Sequence, residues 1–238
     1  MSANTAPSLD QVPSPTYDRD AIIASMTRYY TLLSKMVGIK PSDIDIAPPS
    51  GRPDDAIPLE ALRLLGFNDR MVDFIRHAPF VGSNHRPVYY STCTLNYYRW
   101  LFSYPAEEYA GDDAQMVEMW PLPEQRMRKG IVPLSRPLQG DSRGYWWMLD
   151  TNTGELTAHG AYLERPEEEI PEGEEWRSAR PVPAIAYFDG LHGDLMSLRM
   201  VPLPGTQRDI VWDMWPTEGM REYQRWADVS EPLSQPTR

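Results

Sequence analysis

One cysteine, four histidines and no long apolar run set the first limits on this 238-residue chain. A single Cys excludes an intramolecular disulfide framework and any Cys-rich zinc site. Neither HExxH nor Cys-x-x-Cys occurs, and His77, His85, His159 and His192 are scattered, so no metal is expected. A Walker loop and a G-x-G-x-x-G string are also missing, which removes the strong nucleotide signatures and leaves no cofactor expected. No window approaches the ~18 apolar residues of a membrane span. The opening residues lack the basic and apolar regions of a signal or transit peptide. Basic residues are the minority, 23 against 34 acids, and nowhere form a stripe, so nucleic acid is not an expected partner. The expectation is a protein of the cytoplasm or nucleus, off the membrane.

What the chain does hold is proline, 24 residues, and a large aromatic complement that includes eight Trp and 13 Tyr. Proline is excluded from helix interiors and central strands, so much of the chain must be loop or edge. The acid is concentrated: Glu164–Glu175 carries seven glutamates against one arginine, more than half of the net charge of −11. Such a run reads as a solvated loop, with contact to a basic partner as the alternative.

Residues 1–16 read as a disordered leader, 17–228 as one domain with the acidic insert 164–175, and 229–238 as a disordered tail. Between Asp18 and Val37 the apolar residues Ile22, Ile23, Met26, Tyr29, Tyr30, Leu33, Met36 and Val37 recur every three or four positions. That spacing predicts an amphipathic helix with Thr16 or Asp18 as N-cap. Residues 46–53 read as a Pro-rich linker. Leu59 to Leu65, then Met71 to Ile75 with Asn68 as cap, predict a helical hairpin turning at Gly66. From Arg86 the texture turns to β, with a short helix from Leu95 as an alternative. Tyr145–Leu149 and Glu155–His159 flank the turn Asp150-Thr-Asn-Thr-Gly154, where Asn152 and Gly154 are candidates for positive φ; a β-hairpin is predicted there. Residues 181–204 read as a helix or strand, a turn at Gly190–Gly193 and a second apolar segment. A last helix is predicted over 218–227.

Gly140-Asp-Ser142-Arg-Gly144 is a literal G-x-S-x-G. In hydrolases that use this string, the serine sits on a strained turn from strand to helix. Here an aromatic strand follows it, so a polar turn is the favoured reading. On paper Ser142, Asp189 and His192 complete a triad order. His192-Gly-Asp194 spells the H-x-D of a two-His-one-carboxylate iron site, but no histidine follows it, and a polar turn is again favoured. Cys93 reads as a buried structural thiol. Trp146 and Trp147 are adjacent, so in a strand one faces inward and the other outward. The outward one is either covered, with the segment of Trp212, Trp215 and Trp226 as the candidate cover, or a partner contact together with Asp150.

The block Gly144–Asp150 with Thr153 and Gly154, followed by Ala184–Leu198, resembles the SUKH superfamily. That superfamily includes fungal cell-wall-synthesis regulators and bacterial immunity proteins directed at secreted nuclease toxins. The matches span about a third of the chain, and the long acidic insert departs from the pattern. The resemblance implies an α+β domain that binds protein partners and carries no catalytic residues.

The expected fold is therefore α+β and SUKH-like, with N-terminal helices packed on a mostly antiparallel sheet and disordered ends. The expected function is non-enzymatic protein binding or regulation through Trp146, Trp147 and Asp150. The alternatives are a serine hydrolase using Ser142 and His192 with Asp189, and a small-ligand carrier with an aromatic pocket.

Overall fold

The structure is a computed structural model, and it describes residues 16–36, 39–82, 87–98, 121, 129–138, 143–160, 176, 179–204 and 210–214. The leader, the acidic insert, Ser142 and the segment 218–227 lie outside the described residues, apart from Thr16.

Helix α1, Arg19–Ser34, forms where the apolar stripe predicts it. The Asp18 carboxylate, not Thr16, caps it by accepting the Ala21 amide at 3.0 Å. Ile22, Met26, Tyr29, Tyr30 and Leu33 on that stripe are buried. The helical hairpin is present as α2, Leu59–Leu64, and α3, Asp69–His77. Gly66 turns the chain at φ 86°, and Asn68 caps α3 through the Met71 amide at 3.0 Å.

Residues 46–53 are not a linker. Gly51 and Arg52 are buried, although proline surrounds them. The Arg52 guanidinium donates to the carbonyls of Ala78 at 2.8 Å and Asp45 at 2.9 Å, pairs with the Asp45 carboxylate and lies 4.3 Å from the Tyr98 ring centroid. A guanidinium so satisfied on its edge and stacked on its face tolerates burial. The segment is thereby fastened to the end of α3, where Gly51 at φ 78° leaves no room for a Cβ beside His77.

The strands make antiparallel sheets only, among the described residues. Strands β1, Ile44–Asp45, and β2, Phe80–Val81, form a short pair. Strands β3, Pro87–Tyr89, and β4, Thr92–Thr94, join β6, Ser135–Pro137, in the order β3-β4-β6. The larger sheet runs β5-β7-β8-β9, from Ile131–Pro133 through Trp146–Asp150 and Glu155–His159 to Val182–Pro183. Buried hydroxyls splice these two sheets. Ser135 Oγ donates to the Tyr145 carbonyl at 3.0 Å and accepts the Trp147 amide at 2.9 Å, while Thr92 Oγ1 accepts the Tyr145 amide at 2.9 Å. Leu134 N–H donates to the Trp147 carbonyl at 2.7 Å, so the β5–β6 ribbon serves both sheets.

The predicted hairpin is β7–β8, in the register Trp146↔His159 to Asp150↔Glu155. Of the two turn residues proposed for positive φ, Gly154 at 78° has it and Asn152 does not.

Helix α4 corrects the sequence reading. Ala184–Met196 is one uninterrupted helix through both Gly190 and Gly193, where the glycines predict a turn. Ala184, Phe188, Leu191 and Leu195 fall on one buried stripe, and that burial outweighs two glycines worth about 1 kcal/mol each against Ala. The chain leaves α4 into a further hairpin, β10, Met200–Pro204, with β11, Ile210–Met214. The fold is α+β: α1 packs on α4, and both lie against the sheets around Val88, Trp147, Leu149 and Leu156. No described helix is long and apolar enough to cross a membrane.

Candidate functional site

The side chains singled out from the sequence are spread over β7, β4, α3 and α4. Trp147 points from β7 into the core and is 0% exposed, walled by Tyr89, Tyr187 and Phe188 at centroid distances of 6.0, 5.8 and 5.6 Å. It is no partner contact, and β3 and α4 enclose it. The cover expected from Trp212, Trp215 and Trp226 concerns the outward tryptophan, and Trp215 and Trp226 lie outside the described residues. Trp146 is the outward member of the pair. It is partly buried against Ile131, Met148 and Trp176, so the outer face of the sheet has its own small apolar cluster. Asp150 is no surface contact either: it is buried, and its carboxylate accepts the Asn152 amide at 2.8 Å, shaping the hairpin turn.

Cys93 is a fully buried thiol in β4, as expected, and burial pushes its pKa up, away from thiolate chemistry. His77 lies in the last turn of α3 with Nδ1 2.8 Å from the Asp73 carbonyl oxygen, and the Asp73 carboxylate is held by Arg19 at 2.8 Å. The Arg19 pair ties α1 to α3, while the His77 contact lies within α3. Among the described residues no group of three or more His, Cys, Asp and Glu side chains is placed to hold a metal ion.

Asp189 and His192 lie one turn apart on α4. They belong to a helix and not to the polar turn that the H-x-D string suggests. The Asp189 carboxylate is engaged by α1: Ser25 Oγ donates to it at 2.7 Å and Arg28 Nη2 at 2.6 Å. Ser25 hydroxyl donation and the Arg28 guanidinium hold its carboxyl below the usual range, with His192 a lesser contributor. A depressed pKa in the folded state contributes stability above the unfolded value of about 3.9, and that contribution is lost as the pH falls through the folded one. Asp189→Asn is therefore expected to lower the urea midpoint at pH 7, with the gap to wild type narrowing as the pH falls below about 4. The carboxylate side chain is 47% exposed, so water screens the pair and the effect is small. A gap of constant size down to pH 3 contradicts this role.

The other side of α4 is open. Ala186, Gly190 and Ser197 are exposed there, and a Cβ on Gly190 or Gly193 meets nothing within 4 Å. At its C-terminal end Met196 is 63% and Leu198 61% exposed, the two most exposed of the large apolar side chains described. Leu198 stands at φ 56°, with its amide donating to the Leu195 carbonyl and the Arg199 amide to that of Asp194. This is a helix stop usually made by glycine, and leucine adopts it at a cost of about 1 kcal/mol. Sequence reasoning missed both residues because they lie in an apolar stretch that reads as core. Met196 falls off the buried stripe of Ala184, Phe188, Leu191 and Leu195, and Leu198 follows at the left-handed helix stop. Comparison with protein-family models, with curated proteins and with solved structures finds no match to this chain.

Proposed function

We propose that this chain is a non-enzymatic, regulatory protein-binding module that meets its partner on the outer side of α4. The observation that carries the reading is the adjacent pair Met196 and Leu198, two large apolar side chains held in solvent, one of them on a left-handed backbone. Apolar side chains presented together at the end of a rigid helix are the usual core of a contact patch. The small residues Ala186, Gly190 and Gly193 beside them leave the helix backbone open to close approach. The SUKH resemblance supports the same class of function, in the cytoplasm or nucleus. The hydrolase alternative is weakened because Asp189, the carboxylate that would orient His192, is committed to Ser25 and Arg28.

The test is affinity capture from the native host with wild type and with Gly190→Arg plus Met196→Arg. Both arginines suit a helix, and the second sits where a cation complements the helix dipole, so the fold should persist. At least one protein captured by wild type and lost from the variant, at unchanged thermal midpoint, is the expected result. Identical captured sets overturn the proposal.

A further inference from the structure

We infer that Met196 is a reversible oxidation site, and that converting its thioether to the sulfoxide releases the partner held on α4. The inference rests on reading that end of α4 as a contact patch, and it supplies the regulation of that patch.

A methionine sulfur reacts with peroxide only where the oxidant can reach it. The described methionines differ sharply in this respect. Met26, Met71, Met148 and Met200 are between 1% and 3% exposed, and Met36 is partly buried against the core. Met196 is 63% exposed. Helix geometry sets the contrast, since Met196 lies about 100° round α4 from Leu195, the last residue of the buried stripe. The single thiol, Cys93, is buried and does not compete for the oxidant.

The step is an oxygen transfer. A sulfur lone pair of Met196 attacks hydrogen peroxide and the O–O bond breaks. One oxygen stays on sulfur as the sulfoxide and the other leaves as water, so the thioether is oxidised by two electrons and the peroxide reduced. A methionine sulfoxide reductase reverses the step with a dithiol, which becomes a disulfide while the oxygen leaves as water.

Oxidation places a strong acceptor in the middle of an apolar contact. The donors beside it in sequence are engaged: Ser197 Oγ donates to the Gly193 carbonyl at 2.8 Å, and the Arg199 guanidinium to the Asp194 carboxylate at 2.6 and 2.9 Å. The carbonyls that end α4 are the negative end of the helix dipole and oppose the new oxygen further. The sulfoxide therefore keeps its water, and a partner seated on Met196 must strip that water without replacing it. Met196 lies outside the core cluster, so the fold is indifferent to the change while binding responds.

The experiment treats the full chain with hydrogen peroxide, removes the peroxide, and locates methionine sulfoxide by peptide mass spectrometry before partner capture. Met196 is expected to oxidise at least about tenfold faster than Met26, Met71, Met148 and Met200, whose sulfurs react only after local opening. Over a time course the captured partner should follow the unoxidised fraction at Met196, at unchanged thermal midpoint, and return after reductase and dithiol treatment. Met196→Leu has no sulfur at that position, and each sample of it is compared with its own untreated form; peroxide should leave its capture unchanged. Capture lost on peroxide treatment of the Leu variant places the effect elsewhere and overturns the inference. Met196 oxidation within about twofold of the buried methionines overturns it too, as does full capture by protein oxidised at Met196. The two proposals fail distinguishably. Capture that depends on Gly190 and Met196 but survives oxidation removes only the switch. Identical captured sets for wild type and the Gly190→Arg plus Met196→Arg variant remove the contact patch, and the switch with it.

Discussion

Gly144→Ala is expected to remove a large part of the protein's stability and to lower its urea midpoint sharply. A Cβ there lies 2.6 Å from the Pro137 Cα and closer still to the Ser91 carbonyl oxygen, both of them backbone that cannot rotate away. The Ser91 carbonyl also accepts the Leu138 amide at 2.8 Å, so relief requires separating β4 from the ribbon that leads into β7. A loss of at least about 4 kcal/mol is expected, a large part of the 5–15 kcal/mol typical of a domain. Gly190→Ala is the matched control. Open space surrounds Gly190 in the middle of α4, so the same change should stabilise by about 0.5–1 kcal/mol. Urea midpoints followed by tryptophan fluorescence report both, and equal midpoints for the two variants contradict the crowding at Gly144. The second glycine of the G-x-S-x-G string thus has a structural reason of its own, independent of any chemistry at Ser142.

The second large effect belongs to Trp147. Its ring is enclosed on β7 by aromatic side chains from β3 and α4, and truncation leaves a cavity whose walls are held by separate elements. Trp147→Ala should cost about 3–5 kcal/mol. Trp146→Ala, on the other face of the same strand, loses a partly buried contact with Ile131, Met148 and Trp176 and should cost about 1–2 kcal/mol. Chemical denaturation of the two single variants measures the difference, and a larger loss at Trp146 reverses the assignment of inner and outer faces. A double alanine variant cannot test a binding role for the pair, because any lost partner would report unfolding. Substitutions on α4 avoid that confusion.

How far the sequence discloses this architecture depends on the length of each periodic run. The stripe from Ile22 to Leu33 repeats often enough to identify α1 and its buried face, and the short block from Leu59 to Ile75 is punctuated by Gly66 and Asn68. The β7–β8 hairpin is legible because five-residue strands flank a turn with its own Asp and Gly chemistry. Pairs such as β1–β2 have two residues a side and show no period at all. Helix α4 is obscured by its own punctuation, since Gly190 and Gly193 are turn residues by habit, and only the tertiary contact of Phe188, Leu191 and Leu195 overrides them. Arg52 shows the opposite concealment: charge and surrounding proline place it at the surface, whereas three-dimensional carbonyl acceptors and two rings place it inside. The candidate face on α4 is hidden in the sequence because Met196 and Leu198 sit in an apolar stretch, the first off the buried stripe of the helix and the second at its left-handed stop. Of the residues the sequence does propose, Trp147 and Asp150 prove to be framework, and Asp189 a tie between helices.

That tie joins Ser25 and Arg28 in α1 to Asp189 in α4, far along the sequence. During synthesis the α4-facing side of α1 therefore leaves the ribosome long before its cover exists. At 5–20 residues per second, the ~150 residues between them take roughly 10–30 s to appear. Throughout that interval Met26, Tyr29 and Tyr30 lack the α4 residues they will pack near, and the nascent chain presents a ready target for chaperones that bind apolar helices. The protein's exposure to misassembly thus depends on the order in which α1 and α4 are made as well as on its final stability.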